Sequence, residues 1–193
     1  PNVWYYFQIR VEDTGTRTNI SAKIWPETGV MPPAPQIDAY DESCIRSISG
    51  TVGLWTAGTS TTVRQYDNLR LWPNNIIDPS PSQLLLDINF EAESQVPEPD
   101  NWLDAEDRQK LPVQGGLFKQ ISVLGGVGGE TAFGTDSTDL NIHSYYNPVN
   151  AIVNPLTWNN YIYLGRMRIS DRDSGIGVIF FSRQPEGIDQ YYG

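Results

Sequence analysis

The sequence predicts an all-β fold, with two antiparallel sheets packed face to face and almost no helix. Three observations predict it. Apolar residues alternate with polar ones at period two along many short segments, no segment keeps a helical period over three turns, and turn residues punctuate the chain throughout. The composition agrees. Of 193 residues, 39% are hydrophobic and 11% aromatic, with 17 Gly and 14 Pro, which suits aromatic strands cut by turns and is enough apolar material for a core.

The first strand reads Trp4 to Val11, with Tyr5, Phe7, Ile9 and Val11 on one face and Trp4, Tyr6, Gln8 and Arg10 on the other. Asp13-Thr14-Gly15 is a hairpin turn. The returning strand sets Ile20, Ala22 and Ile24 against Asn19, Ser21, Lys23 and Trp25. A proline-rich loop, 26–35, leads to strands over 36–40, 50–56 and 62–72. Residues 73–83 carry three prolines and no period, so they read as a linker or exposed crossing. Strands resume over 84–90, 116–123, 130–135, 140–146, 161–170 and 175–182, while 91–114 reads as a long acidic loop with room for one helical turn at 104–110. The glycine-rich run 124–130 is a turn between strands, because no helix follows it to hold a phosphate. The expected core is Tyr5, Phe7, Ile9, Ile20, Ile24, Val52, Leu54, Leu86, Ile88, Phe90, Met167, Ile169, Val178 and Phe180.

Charge narrows the function classes. A net charge of -10 repels a phosphate backbone and an anionic membrane surface, so nucleic acid is excluded as a partner. No apolar run approaches a membrane span, so no membrane insertion is expected. The single cysteine, Cys44, allows no intrachain disulfide and is expected to be a buried, inert thiol. Pro1 opens no reading frame and no signal peptide is visible, so the chain is expected to be processed or cut.

Catalysis finds little support. A glycosidase needs two carboxyls flanking one bond, and the nearest set, Asp38, Asp41 and Glu42, straddles a strand end. His143 is the one histidine, and no G-x-S-x-G elbow accompanies it, so it reads as an ordinary strand residue. The sequon Asn19-Ile20-Ser21 is of a kind that chance supplies. The outward set Trp4, Tyr6, Arg10, Lys23 and Trp25, continued by Trp55, Tyr66, Asn68 and Arg70, offers flat rings to stack on sugars beside polar groups for hydroxyls. Packing of Trp4 and Trp25 over a sheet end is the structural alternative.

Two stretches resemble a family of bacterial laminin-G-like, concanavalin-like jelly-roll modules. WYYFQIRVEDTGTRTNISAKIWPE, followed by GTVGLWTAGTSTTVRQYDNLRLWP, is similar to the C-terminal half of such a module. LLLDINFEAES, AFGT, NIHSYY and NYIYLGRMRISDRDSGIGVIFFSRQPEGIDQYY are similar to its N-terminal half. The halves stand in reversed order, as 1–73 and 84–193 joined by the linker 74–83, and the hairpin the family places between them would follow Gly193 and precede Pro1. The chain then either completes one sandwich as a circular permutant or is cut from tandem repeats and completed by other chains.

The resemblance implies an extracellular or cell-surface module, not an enzyme, that binds carbohydrate or a cell-surface polymer. It also implies a structural calcium ion between first and last strands, here through Asp67 and Glu91, assisted by carbonyls and water. The structural alternative is that Asp67 satisfies backbone amides. The absent hairpin would bare the edges of 4–11 and 175–182, which makes self-association into a fibre the second functional expectation.

Overall fold

The computed structural model describes residues 2–58, 61–91, 101–106, 109–110, 117–123, 130–138, 141–147, 154–183 and 190–193. The strands are β1 (Tyr5–Asp13), β2 (Thr18–Pro26), β3 (Ile37–Asp41), β4 (Thr51–Ala57), β5 (Arg64–Pro73), β6 (Leu86–Ile88), β7 (Trp102–Glu106), β8 (Gln109–Lys110), β9 (Lys119–Ser122), β10 (Thr131–Thr135), β11 (Ile142–Tyr146), β12 (Tyr161–Ile169) and β13 (Gly175–Ser182). Among the described residues, helix is confined to the 3₁₀ turns Pro81–Gln83 and Pro155–Thr157. The larger sheet runs β3-β2-β1-β12-β5-β10-β9, with β6 also on β5, and the smaller runs β13-β4-β11-β7-β8. All pairings are antiparallel. The expected two-sheet all-β sandwich is therefore the observed architecture.

Strands from before and after the linker interleave. β12 lies between β1 and β5, and β4 lies between β13 and β11, so the two stretches build one sandwich within the chain. The linker itself is an exposed crossing, with Ile77 99% accessible, and it returns the chain so that β6 pairs with β5 at Leu69↔Ile88. The expectation that 4–11 forms a bare edge is corrected. β1 is an interior strand, bonded to β2 on one side and β12 on the other. β13 does stand at the end of its sheet. Phe180 exchanges backbone bonds with Tyr192 there, at 2.9 and 3.0 Å.

The core is formed by the alternate residues that face the opposite sheet. Phe7, Ile9, Val52, Leu54, Leu86, Phe90, Val178 and Phe180 are buried as expected, while Ile20, Ile88 and Met167 are half-buried against them. Ile169 is half-buried outside this cluster. Tyr5 and Ile24 belong to the correct face yet stay 41% and 42% exposed. The smaller sheet stops at β13, so the inner face of β2 and β3 is only partly covered. Ile24 there lines an apolar hollow of about 260 Å³ with Phe7, Ala22, Ile37 and Val178. The proposed helical turn at 104–110 is also corrected, because β7 and β8 form a hairpin there. Trp102 supplies the reason, since it is buried against Phe133 at 5.2 Å and draws its strand into the core.

One irregularity organises β5. Opposite β12, the register jumps between Leu164↔Arg70 and Arg166↔Asp67. Asn68 takes a φ of 52°, a left-handed value Asn tolerates in a bulge. The extra residue shifts the alternation by one, so Tyr66, Leu69 and Leu71 all face inward and are buried. Gly165 sits opposite the bulge, where any Cβ would come within 2.6 Å of Leu69 and 2.7 Å of Phe7.

Tyr66 then reaches across the sandwich. Its phenol oxygen lies 2.5 Å from the Trp55 carbonyl and 2.9 Å from that of Gly177, so it ties β5 to both β4 and β13. Tyr161 makes a second tie, its oxygen accepting the Phe181 N–H at 2.8 Å. Burial pushes both phenols far above their ordinary pKa, so they stay protonated. Tyr66→Phe is expected to cost about 1–3 kcal/mol in urea unfolding, because it strands buried backbone groups. Tyr5→Phe, at a 41% exposed position, should leave the curve unchanged.

Candidate functional site

The outer face of β1, β2 and β3 gathers most of the predicted ligand residues. Register sets Tyr6 opposite Trp25, Gln8 opposite Lys23, Arg10 opposite Ser21 and Glu12 opposite Asn19. β3 extends the rows, with Asp38 beside Ser21 and Tyr40 beside Asn19. The hairpin turn forms as expected. Gly15 has a φ of 86°, and its N–H donates to the Asp13 carboxylate at 3.0 Å. Tyr6 and Trp25 stack at 5.6 Å with 27° between planes. Arg10 is exposed, and Tyr6, Gln8, Lys23 and Trp25 are half-buried. At the far end a polar hollow of about 280 Å³ is lined by Arg10, Glu12, Arg17, Asn19, Ser21 and Asp38.

Trp4 does not join this platform as a free ring. It is only 8% exposed, and the guanidinium carbons of Arg166 and Arg168 lie 4.7 and 5.1 Å from its ring centre. Arg166 is held from below. Its Nε donates to Asp67 at 3.0 Å and its Nη1 to Glu27 at 2.7 Å. Arg168 donates to Gln65, whose own amide donates to the Ile121 carbonyl at 3.4 Å. Burial works against the charge on Arg166, but its bonds to Asp67 and Glu27 keep its pKa above the ordinary arginine value. Sequence reasoning missed this lattice. Its signal was the pair of arginines at alternate positions of β12, both on the outer face.

The other predicted residues disperse. Trp55 lies in the smaller sheet, away from Trp25, with its ring over Gly177 and its Nε1 donating to Asn141 at 2.7 Å. Tyr66 faces the core, Asn68 forms the bulge, and Arg70 pairs with Asp87 at 3.1 Å. Asp67 is 1% exposed and its two oxygens accept from the Asn68 N–H and from Arg166. Glu91 lies near enough to add its charge to the burial that pushes the Asp67 carboxyl up, while Arg166 pulls it down. A guanidinium is already on the Asp67 member of the proposed calcium pair. Among the described residues, no group of three or more His, Cys, Asp or Glu side chains is placed to hold a metal.

The groups considered for catalysis have structural partners. Asp41 accepts from the Tyr192 phenol at 2.7 Å and from the Ser43 N–H at 2.8 Å, and these bonds hold its carboxyl below the usual range. His143 is buried in β11, with its Nδ1 3.1 Å from the Tyr145 hydroxyl. Asp104, also buried and unforeseen, accepts from the N–H groups of Leu117 and Phe118 at 2.8 and 3.1 Å. Cys44 is exposed, which corrects the expectation of a buried thiol; it lies in a short loop after β3 that packs no apolar face. The glycine-rich run 124–129 and, in the acidic loop, residues 92–100, 107–108 and 111–114 lie outside the described residues.

No protein-family model matches the chain, and no curated protein matches it. Arg166→Ala should cost about 3–5 kcal/mol in urea unfolding, since it leaves Asp67 buried without its partner. Asp67→Asn, which keeps the shape and removes the charge, should cost less.

Proposed function

We propose that this chain is a non-catalytic, extracellular β-sandwich module that binds carbohydrate or a cell-surface polymer along the outer face of β1 and β2. The carrying observation is the stacked Tyr6–Trp25 pair at the head of a row of hydrogen-bonding side chains. An aromatic ring meets the apolar face of a sugar, and Gln8, Arg10, Ser21 and Lys23 supply donors and acceptors within a few residues of it. Trp4 supports the platform from the side by fixing β12 to the start of β1. A laminin-G-like, concanavalin-like jelly roll with permuted halves is the finer fold reading, supported by the interleaving of the two stretches.

Structural partners for Asp41, Asp67, Asp104 and His143 favour binding over catalysis. For calcium, we infer that Arg166 supplies the positive charge that the family resemblance assigns to the ion at Asp67 and Glu91. Melting temperatures in excess chelator and in millimolar calcium should then be equal. A rise with calcium would mean that the ion displaces the guanidinium, and binding to the folded form alone would produce it.

A second reading, a fibre or surface assembly built by strand sharing, is favoured by the end position of β13. The apolar hollow against β2 flanks that strand on its inner face, and a second hollow of about 430 Å³ beside Trp55 and Tyr191 flanks its outer face. Size-exclusion chromatography and glycan binding separate the two readings. The carbohydrate module stays monomeric at high concentration and loses glycan affinity about ten-fold or more in Trp25→Ala, as the loss of a stacked ring implies. Concentration-dependent ladders without glycan binding would establish the assembly instead.

A further inference from the structure

The proposed platform holds three cations in a strongly acidic molecule. The chain carries 23 acidic residues against 13 Lys and Arg, a net charge of -10. Cations in so acidic a protein are expected to find carboxylates, and several do. Arg46 pairs with Asp13, Arg70 with Asp87, Lys119 with Asp136, and Arg166 with both Asp67 and Glu27. Arg10, Arg17 and Lys23 do not. They occupy one face, and among the described residues none of them has a carboxylate within ion-pair distance. Arg17 lies over the Tyr40 ring at 5.1 Å, and the Lys23 ammonium donates only to the Pro33 carbonyl at 3.3 Å. Glu12 and Asp38 share the face. Three cations outside the ion pairs of the described residues thus stand together on one face of a strongly negative molecule.

We propose that the outer face of β1, β2 and β3 selects acidic glycans, chains of carboxylated or sulfated sugars, over neutral ones. The proposal rests on the carbohydrate reading above and names the class of sugar. Tyr6 and Arg10 are four residues apart on one strand, roughly 13 Å along it. Lys23 and Arg10 are diagonal neighbours across the β1–β2 pair, about 7–8 Å apart at the backbone. A sugar ring seated at Trp25 thus brings its neighbours along the row over Lys23 and then Arg10. A guanidinium presents a planar fork that matches a carboxylate or sulfate with two parallel bonds. Glu12 and Asp38, beyond Arg10, accept from hydroxyls in the polar hollow.

The remaining acidic surface sets the range over which this works. At physiological ionic strength the screening length is about 8 Å, so a bound anion feels mainly the local cations. At 0.01 M salt the length grows to about 30 Å and the whole negative molecule repels the same ligand. Affinity for an acidic glycan should therefore pass through a maximum near physiological salt and fall on either side.

The test is calorimetric titration of the whole chain, at about 0.15 M salt, with polygalacturonate oligosaccharides, chondroitin sulfate oligosaccharides and neutral cellohexaose. The proposal expects an acidic probe to bind more tightly than cellohexaose. It also expects the double variant Arg10→Ala/Lys23→Ala to lose about ten-fold or more of that affinity, as the loss of charge-assisted bonds implies. Both substitutions are on the solvent face, and an unchanged melting temperature verifies the fold. Carboxylated and sulfated arms distinguish the source of the anion. Equal or tighter binding of cellohexaose overturns the acidic selectivity and leaves the carbohydrate reading standing. So does acidic binding that the double variant leaves untouched, since it would lie on another face. Failure of every sugar to bind overturns both.

Discussion

The single extra residue in β5 is the constraint on which the rest of the sandwich depends. Asn68, at a φ of 52°, moves the alternation of that strand by one position. Tyr66 before it and Leu69 after it both face the core, while Asp67 between them faces out. Without the shift, either the Tyr66 phenol would miss the backbone of β4 and β13, or Leu69 and Leu71 would leave the core. The same shift sets Asp67 opposite Arg166, where a buried carboxylate meets its guanidinium. One backbone irregularity thus fixes how the two sheets are tied inside and how the larger sheet is braced outside.

The brace explains why the platform residues are free. Trp4 covers Arg166 and Arg168, and the Glu27 carboxylate closes over Arg166 from the end of β2. The Glu27 N–H also bonds the Trp4 carbonyl at 2.9 Å, so the start of β1 and the end of β2 are clamped to β12. With the strands held there, Tyr6, Trp25, Gln8, Lys23 and Arg10 carry little of the structural work. Arg10 is exposed and the other four are half-buried on the outer face.

The unequal width of the sheets has its own consequences. The larger sheet runs past β13 by β2 and β3, so their inward faces are only partly covered, with Ile20 and Ala22 packed against the core and the residues beyond them not. Ile24 and Ile37 are exposed for this reason and not because their face is polar. The Tyr192 phenol partly closes the same side, donating to Asp41 and accepting from the Ser47 N–H at 3.2 Å. This fixes the end of the chain to the loop after β3.

The amino-acid sequence by itself determined the class of fold, because side chains on a strand alternate with a period of two and helices cannot imitate that pattern. It also determined the first hairpin, through Asp13 and Gly15, and the row of outward groups from Tyr6 to Arg10, since each depends only on neighbours in the chain. Tertiary structure decided everything that depends on a second strand. It set Trp55 on the other sheet from Trp25, turned Tyr66 inward through the bulge, made β1 an interior strand, and left Tyr5 and Ile24 uncovered. It also placed Arg166 on Asp67 across 99 residues of sequence. The physical reason is common to all of these. Alternation tells which residues share a face of one strand, but burial and ion pairing depend on what lies opposite that face, and that is set only when distant strands find their register.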